Sequence, residues 1–313
     1  MADILPDLTT RLGPLTLQSP LILAASPWGA EATDLAQSGI GALTMNSIGP
    51  EPRTGHPEPT LHDWGSGLIN AVGLENPGAA AAVEGLRELK AQLEQHGVVL
   101  VVSFFADTVD RYYEVGKTLA AVEPDMAEVN ISCPNVEDAF GTPFATACAT
   151  AAAATRAARA GLVAGGADCP MSIKLAPNVP NLLDIAADVL DAGADLLTVS
   201  NTMPGMVIDV ETRRPVLSNR SGGISGAALR PIAVKMVYDL TRAFDVPVIG
   251  TGGVLRGVDA VEMIMAGASA VGLATVAHRH GAAGLRRVVT ELDGWMSTHG
   301  VATLEEIRGA AHG

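Results

Sequence analysis

Lys174 is one of only four lysines in the chain, and it interrupts the apolar run Met171-Ser172-Ile173-Lys174-Leu175-Ala176. An ammonium taken into a core needs an anionic or polar partner, because an unpaired buried charge is costly. The competing reading is a lysine that snorkels at a strand rim; the apolar flanks favour a functional role. Cys133 stands between Ser132 and Pro134, just past another apolar run. An inert buried thiol is the ordinary fate of a free cysteine. The chemical reading is a general base, since a thiolate can take a proton. Asn70, Asn130, Asn135 and Asn201 could hydrogen-bond a flat polar ring, although each alone suits a turn equally well. Two glycine-rich segments, Ser221-Gly222-Gly223-Ile224-Ser225-Gly226 and Thr251-Gly252-Gly253-Val254, could turn backbone N–H groups on one phosphate. Cys148 and Cys169 have only the inert reading. His278 and His280 form the one close histidine pair and, lacking a third ligand, read as surface.

These residues need elements to position them. Short apolar runs alternate with helical patterns: Leu21–Ala25, Ala42–Ser47, Val98–Phe105, Ala127–Ser132, Met171–Ala176, Leu196–Asn201, Val246–Thr251 and Ala270–Thr275. Most lack strict alternation, as expected of strands covered on both faces. Helices are predicted over Ala79–His96, Val109–Val122, Phe144–Ala164, Leu182–Ala192, Ala227–Phe244, Val258–Ala266 and Ala282–His299, with Asn or Pro in front and Gly or Pro behind. Eight strands alternating with helices argue for an α/β fold with a parallel sheet, and eight is the number that closes a (β/α)8 TIM barrel. A doubly wound open sheet would want G-x-G-x-x-G after an early strand, and the sequence has none. Residues Arg11–Gln18 fit a small N-terminal hairpin on the barrel floor. In a barrel the active site is built from the C-terminal strand ends. Polar residues collect there, at Asn46, Asn130 to Asn135, Lys174, Asn201 with Thr202, and Gly252 with Gly253.

Composition sets the outer limits. The chain has 313 residues, 48% of them hydrophobic, which is ample for one large core. No linker or composition shift divides it, so residues 1–313 are expected to form one barrel domain. The formal charge of −14 repels phosphate backbones and anionic lipid, so nucleic acid and membrane surfaces are unexpected partners. Three cysteines without a C-x-x-C pair suggest neither a disulfide framework nor a zinc or iron–sulfur site. The N-terminus lacks a secretory pattern, and a reducing cytoplasm fits.

Taken together, the motifs resemble the dihydroorotate dehydrogenase family. Asn130-Ile131-Ser132-Cys133-Pro134-Asn135-Val136 is similar to its signature loop. Ser200-Asn201-Thr202-Met203-Pro204-Gly205, Gly222-Gly223-Ile224-Ser225-Gly226, Pro247-Val248-Ile249-Gly250-Thr251-Gly252-Gly253 and Gly67-Leu68-Ile69-Asn70 are similar to further family segments. The likeness runs from about Leu15 to Val276 and is greatest to the soluble, NAD-linked catalytic subunit. It implies an FMN-dependent oxidoreductase acting on a CH–CH bond of a dihydropyrimidine, dihydroorotate to orotate, with hydride passing to flavin N5. Cys133 matches the general base and Lys174 the lysine at the flavin's polar edge. Asn70, Asn130, Asn135, Asn201 and Thr202 match the residues that hold the pyrimidine, with Asn130 counted on the cofactor side as well. Ala24, Ala25 and Ser26 match the segment under the flavin, and Gly223, Gly252, Gly253 and Thr275 the phosphate cradle. The resemblance also implies a homodimer and an electron-transfer subunit carrying FAD and an iron–sulfur cluster.

Three positions depart from the family. Asn46 stands where a lysine usually faces flavin and substrate carboxylate, the loop Val136–Phe140 is shorter, and Ala274 replaces a phosphate-loop glycine. Because two of the three touch the substrate side, a paralogue acting on another dihydropyrimidine or an enone-like compound is an alternative expectation. A flavin-binding subunit without turnover is another, which the intact Cys133 argues against.

Overall fold

The computed structural model describes residues 5–132 and 148–313. All eight apolar runs become strands of one closed parallel barrel: β1 Leu21–Ser26, β2 Ala42–Met45, β3 Val99–Phe104, β4 Met126–Asn130, β5 Met171–Leu175, β6 Leu196–Val199, β7 Val248–Thr251 and β8 Ala270–Leu273. Each strand pairs with its neighbour in sequence, and β8 pairs with β1. Among the described residues the helices between and after them are α1 Ala32–Ala36, α2 Ala79–Glu94, α3 Val109–Leu119, α4 Cys148–Ala164, α5 Leu182–Asp191, α6 Arg230–Ala243, α7 Gly257–Met265 and α8 Thr275–His299. The sequence reading missed α1, which at five residues is too short to show a 3.6-residue period. Gly281 breaks α8 with φ +55° and ψ −150°, leaving a short helical segment at 275–280 before the long one.

Outward-facing strand residues such as Leu23, Leu43, Val102, Val129, Ile173 and Val271 pack under the helices. The barrel interior is layered. At its base Ile22, Ala42, Val101, Met126, Leu196, Ile249 and Ala270 form one apolar cluster, closed by Leu12 and Leu17. Those two leucines come from the expected floor hairpin, Thr10–Leu12 paired with Leu15–Leu17. Above the apolar layer the interior turns polar, with Thr44, Ser103, Glu128, Ser172 and Thr198 all buried. Side chains two apart on a strand share a face, so the next inward positions on β4 and β5 are Asn130 and Lys174.

A four-stranded sheet forms beside the barrel mouth, in the order Met203–Gly205, Gly222–Ser225, Leu68–Asn70, Leu61–Asp63. Periodicity did not reveal it, because strands of three or four residues rich in Gly and Pro carry no pattern. The Gly222–Gly226 segment was expected as a phosphate loop; its first four residues are instead a strand. A Cβ on Gly223 would stand 1.9 Å from Thr202 Oγ1, so glycine here leaves room for the Thr202 side chain. Arg279 fixes the sheet to α8 through a two-pronged pair with Asp63, Nε–Oδ2 2.8 Å and Nη2–Oδ1 2.6 Å. Among the described residues no helix is long and apolar enough to cross a membrane.

Candidate active site

The C-terminal strand ends enclose a cavity of about 310 Å³. Its wall includes Ala25 and Ser26 from β1, Asn46 and Ser47 after β2, Asn130 from β4, Lys174 from β5, and Asn201 with Thr202 after β6. The mouth sheet contributes Asn70 and Ser225. A smaller pocket of about 70 Å³ adjoins it and shares Ala25, Lys174, Asn201, Thr202, Ser225 and Ala274. Its other walls include Ala24, Gly252, Gly253 and Thr275. Every described residue that the sequence assigns to the cofactor or substrate therefore lines one of the two spaces, except Gly223, which lines neither because it serves the mouth sheet. Cys133 and Asn135 lie outside the described residues.

The asparagines are already oriented. Asn130 Nδ2 donates to Ser47 Oγ at 3.0 Å, and its Oδ1 accepts from Ser132 N at 3.2 Å. Asn201 Nδ2 donates to the Ser132 carbonyl at 3.1 Å, while its Oδ1 accepts from Thr202 N at 2.8 Å. Asn70 Nδ2 donates to the Gly223 carbonyl at 3.2 Å. Asn46 Nδ2 donates to the Glu75 carbonyl at 2.8 Å. Amides held this way present fixed donors and acceptors to a planar guest and lose little side-chain entropy when it binds.

Lys174 is 6% exposed, which removes the rim-snorkelling reading. Its partner is Glu128, with Nζ–Oε1 3.4 Å, and Ser103 Oγ donates to the same oxygen at 3.1 Å. Ser103 and Ser47 hydroxyls lie 2.9 Å apart, joining the ion pair to Asn130. The sequence demanded a partner for Lys174 without naming one. The signal was present in Met126-Ala127-Glu128-Val129-Asn130, where Glu128 interrupts an apolar strand as Lys174 does.

His278 is exposed, as expected, but it stands on the wall of the larger cavity. Its Nε2 lies 2.8 Å from Ser26 Oγ and its ring stacks on Trp28 at 4.7 Å. Protein packed around the imidazole pushes it below the ordinary histidine value, against a smaller opposing pull from Glu31. Cys169 is buried, and burial pushes its thiol up to about 11, which fits the inert reading.

The smaller pocket suits a phosphate. Gly252 and Gly253 take φ of +137° and +79°, and the short helical segment at Thr275 begins with no side chain capping its first N–H groups. Barrels commonly hold phosphate in this quarter, at the loops after strands seven and eight and the N-terminus of a short extra helix. The glycines also answer to packing, since a Cβ on Gly253 would stand 2.5 Å from Arg230 Cβ. The larger cavity, at about 310 Å³, falls at the lower end of the roughly 300–1,000 Å³ usual for small-molecule sites. A phosphate-sized pocket beside a buried ammonium and an adjoining amide-lined chamber suit a flavin nucleotide.

Fold and site thus define a barrel oxidoreductase of the flavin-binding class. Comparison with known proteins makes this specific. The dihydroorotate dehydrogenase family profile matches residues 7–296, and the chain belongs to that family. Three curated relatives are each named dihydroorotate dehydrogenase B (NAD(+)), catalytic subunit. That of Desulforudis audaxviator is 40% identical and covers 95% of each chain. That of Methanosarcina mazei is 38% identical over 95% of this chain and 93% of its own. That of Methanocaldococcus jannaschii is 35% identical over 97% and 98%. Among solved structures, a dihydroorotate dehydrogenase from Eimeria tenella in complex with ferulenol superposes with a TM-score of 0.83 at 25% identity, covering 100% of this chain and 90% of that one.

Proposed function

We propose that the chain, acting as one barrel domain, oxidises dihydroorotate to orotate with bound FMN. The observation that carries this is that Lys174 lines both adjoining spaces, within a chain whose family match spans both. Thr275, Gly252 and Gly253 would hold the phosphate, Ala24, Ala25 and Ser26 would lie under the ring, and Lys174 would meet its polar edge. Bound FMN supplies the two-electron acceptor for the C–H bond that breaks as hydride. The chain's own residues do the rest. Asn46, Asn70, Asn135, Asn201 and Thr202 hold the pyrimidine in one plane, with Asn130 between ring and cofactor, so positioning supplies much of the rate. Cys133 Sγ takes the proton from the neighbouring carbon. Ser132, the residue before it in sequence, is tied to Asn130 and Asn201 of the cavity wall, which supports that assignment.

The relatives reported above carry no other substrate's name. The expectations of a different substrate, raised by Asn46, and of a subunit without turnover therefore draw no support from them. The name those relatives share points to NAD as final acceptor, and the sequence has no dinucleotide fingerprint. A separate subunit with FAD and an iron–sulfur cluster is accordingly our proposed electron carrier, bound to a homodimer of this chain. We place the complex in the cytoplasm, where the Cys133 thiol stays reduced. The test is direct. Purified protein should be yellow and release FMN on denaturation, and anaerobic dihydroorotate should bleach it. A protein that cannot be loaded with FMN, or whose flavin dihydroorotate leaves oxidised, overturns the proposal.

A further inference from the structure

We propose that Glu128 is a positioning residue for the redox step: its carboxylate keeps the Lys174 ammonium charged before substrate arrives, so that the counter-charge for the reduced flavin is present in advance. The inference rests on the FMN reading above and concerns a residue that lines neither cavity. Glu128 lies one inward position below Asn130 on β4, and Lys174 one above Ser172 on β5. The carboxylate therefore sits beneath the ammonium, on the side away from the cavity. One of the three ammonium donors points down to Oε1 at 3.4 Å, leaving the others for the cavity side.

Stability does not explain the pair. A buried ion pair seldom outperforms apolar residues of similar volume, because desolvating two charges offsets their attraction. Glu128 is 3% exposed and Lys174 6%, on strands whose remaining interior positions are apolar or small and neutral. Charge is what the arrangement preserves. A lone ammonium at this depth would shed its proton rather than stay ionised. With Glu128 present the cation persists while the flavin is oxidised and neutral. Two-electron reduction then adds a hydride to the ring, two electrons with one proton, and the negative charge gained meets a cation already in place. Such preorganised charge costs no rearrangement at the moment of reaction.

Among the described residues, the side chains around the pair are neutral. β2 and the residues after it offer Thr44, Ser47 and Asn46, β3 offers Ser103, β6 offers Thr198, and Asn201 follows it. Among the described residues, the other ionisable side chains on the cavity walls are Glu58 and His278. These two, and Cys133, remain in wild type and variants alike, so comparing the proteins cancels their titration.

The experiment measures the midpoint potential of bound FMN against pH, from 7 to 9, without substrate. Wild type should show the slope of two electrons with one proton. In Glu128→Gln, which keeps shape and removes charge, Lys174 should be neutral beside oxidised flavin and take up a solvent proton on reduction. Two electrons then travel with two protons and the slope doubles. Glu128→Asp, which keeps charge and alters shape, should retain the wild-type slope. In a Lys174→Met background, Glu128→Gln should leave the slope unchanged. A Glu128→Gln protein that holds FMN with the wild-type slope overturns the assignment. So does a doubled slope in Glu128→Asp, which also carries the test if the Gln variant cannot hold FMN. A wild type that binds no FMN fails the functional reading instead, and is recognised before any variant is made.

Discussion

Asn201 Nδ2 lies 3.1 Å from the Ser132 carbonyl and 3.2 Å from Ser132 Oγ, tying the end of β6 to the residue that precedes Cys133. One asparagine thus has two duties, presenting an amide to the cavity and fixing Ser132, the residue before the proposed base Cys133. Cys133→Ala should keep bound FMN yet slow its reduction by dihydroorotate about 10²–10⁴-fold, the usual cost of losing a general base. Cys133→Ser should be intermediate at best, because a hydroxyl is a far weaker acid than a thiol and needs a base of its own. Asn201→Ala should also lower this rate while leaving FMN content near normal. Stopped-flow bleaching with FMN quantitation reads both, and a Cys133→Ala protein reduced at the wild-type rate places the base elsewhere.

Ala274 stands at the start of the helical segment beside Gly252 and Gly253, with no side chain capping the first N–H groups. An acid there is compatible with a helix N-terminus but would confront a phosphate. Ala274→Asp should therefore fold with an unchanged or higher apoprotein melting temperature and bind FMN at least about ten-fold more weakly, a loss of roughly 1.4 kcal/mol. Equal FMN affinity in the two proteins would put the phosphate somewhere else.

Asn46 reaches the cavity with its amide on the Glu75 carbonyl. Charge-assisted hydrogen bonds contribute about 1.5–3 kcal/mol against about 1 for neutral ones. Opposite charges at this position should therefore move dihydroorotate binding in opposite directions. We expect Asn46→Lys to lower KM and Asn46→Asp to raise it about ten-fold or more, with smaller changes in kcat. Parallel shifts in both variants would show that the substrate carboxylate lies away from Asn46.

His278 gives the apoprotein a pH dependence whose sign follows from its lowered value. As pH falls through the ordinary histidine range near 6.5, the unfolded chain takes the proton before the folded one, so stability declines with falling pH until the folded value is passed. His278→Asn removes the titrating ring from beside Ser26 and Trp28. Between pH 7.5 and 5.5 its urea midpoint should fall less than that of wild type. An equal fall in both would assign the acid sensitivity to other groups.

The sequence by itself determined the barrel, because burial on both faces writes itself as apolar runs and the eight runs from Leu21 to Leu273 were all readable. It also marked Lys174, since a charge inside such a run has few explanations, and it placed the polar strand ends on one rim. The tertiary structure decided which residues answer one another. Glu128 and Lys174 are 46 positions apart, and only the β4–β5 register brings their side chains together. Gly223 read as a phosphate turn like Gly252 and Gly253, because a glycine signals close approach without saying to what; the fold set it against Thr202. His278 read as surface because nothing local shows that β1 delivers Ser26 and Trp28 to its ring. Periodicity and composition are local signals, whereas a site is a set of long-range distances, and those exist only once the barrel has closed.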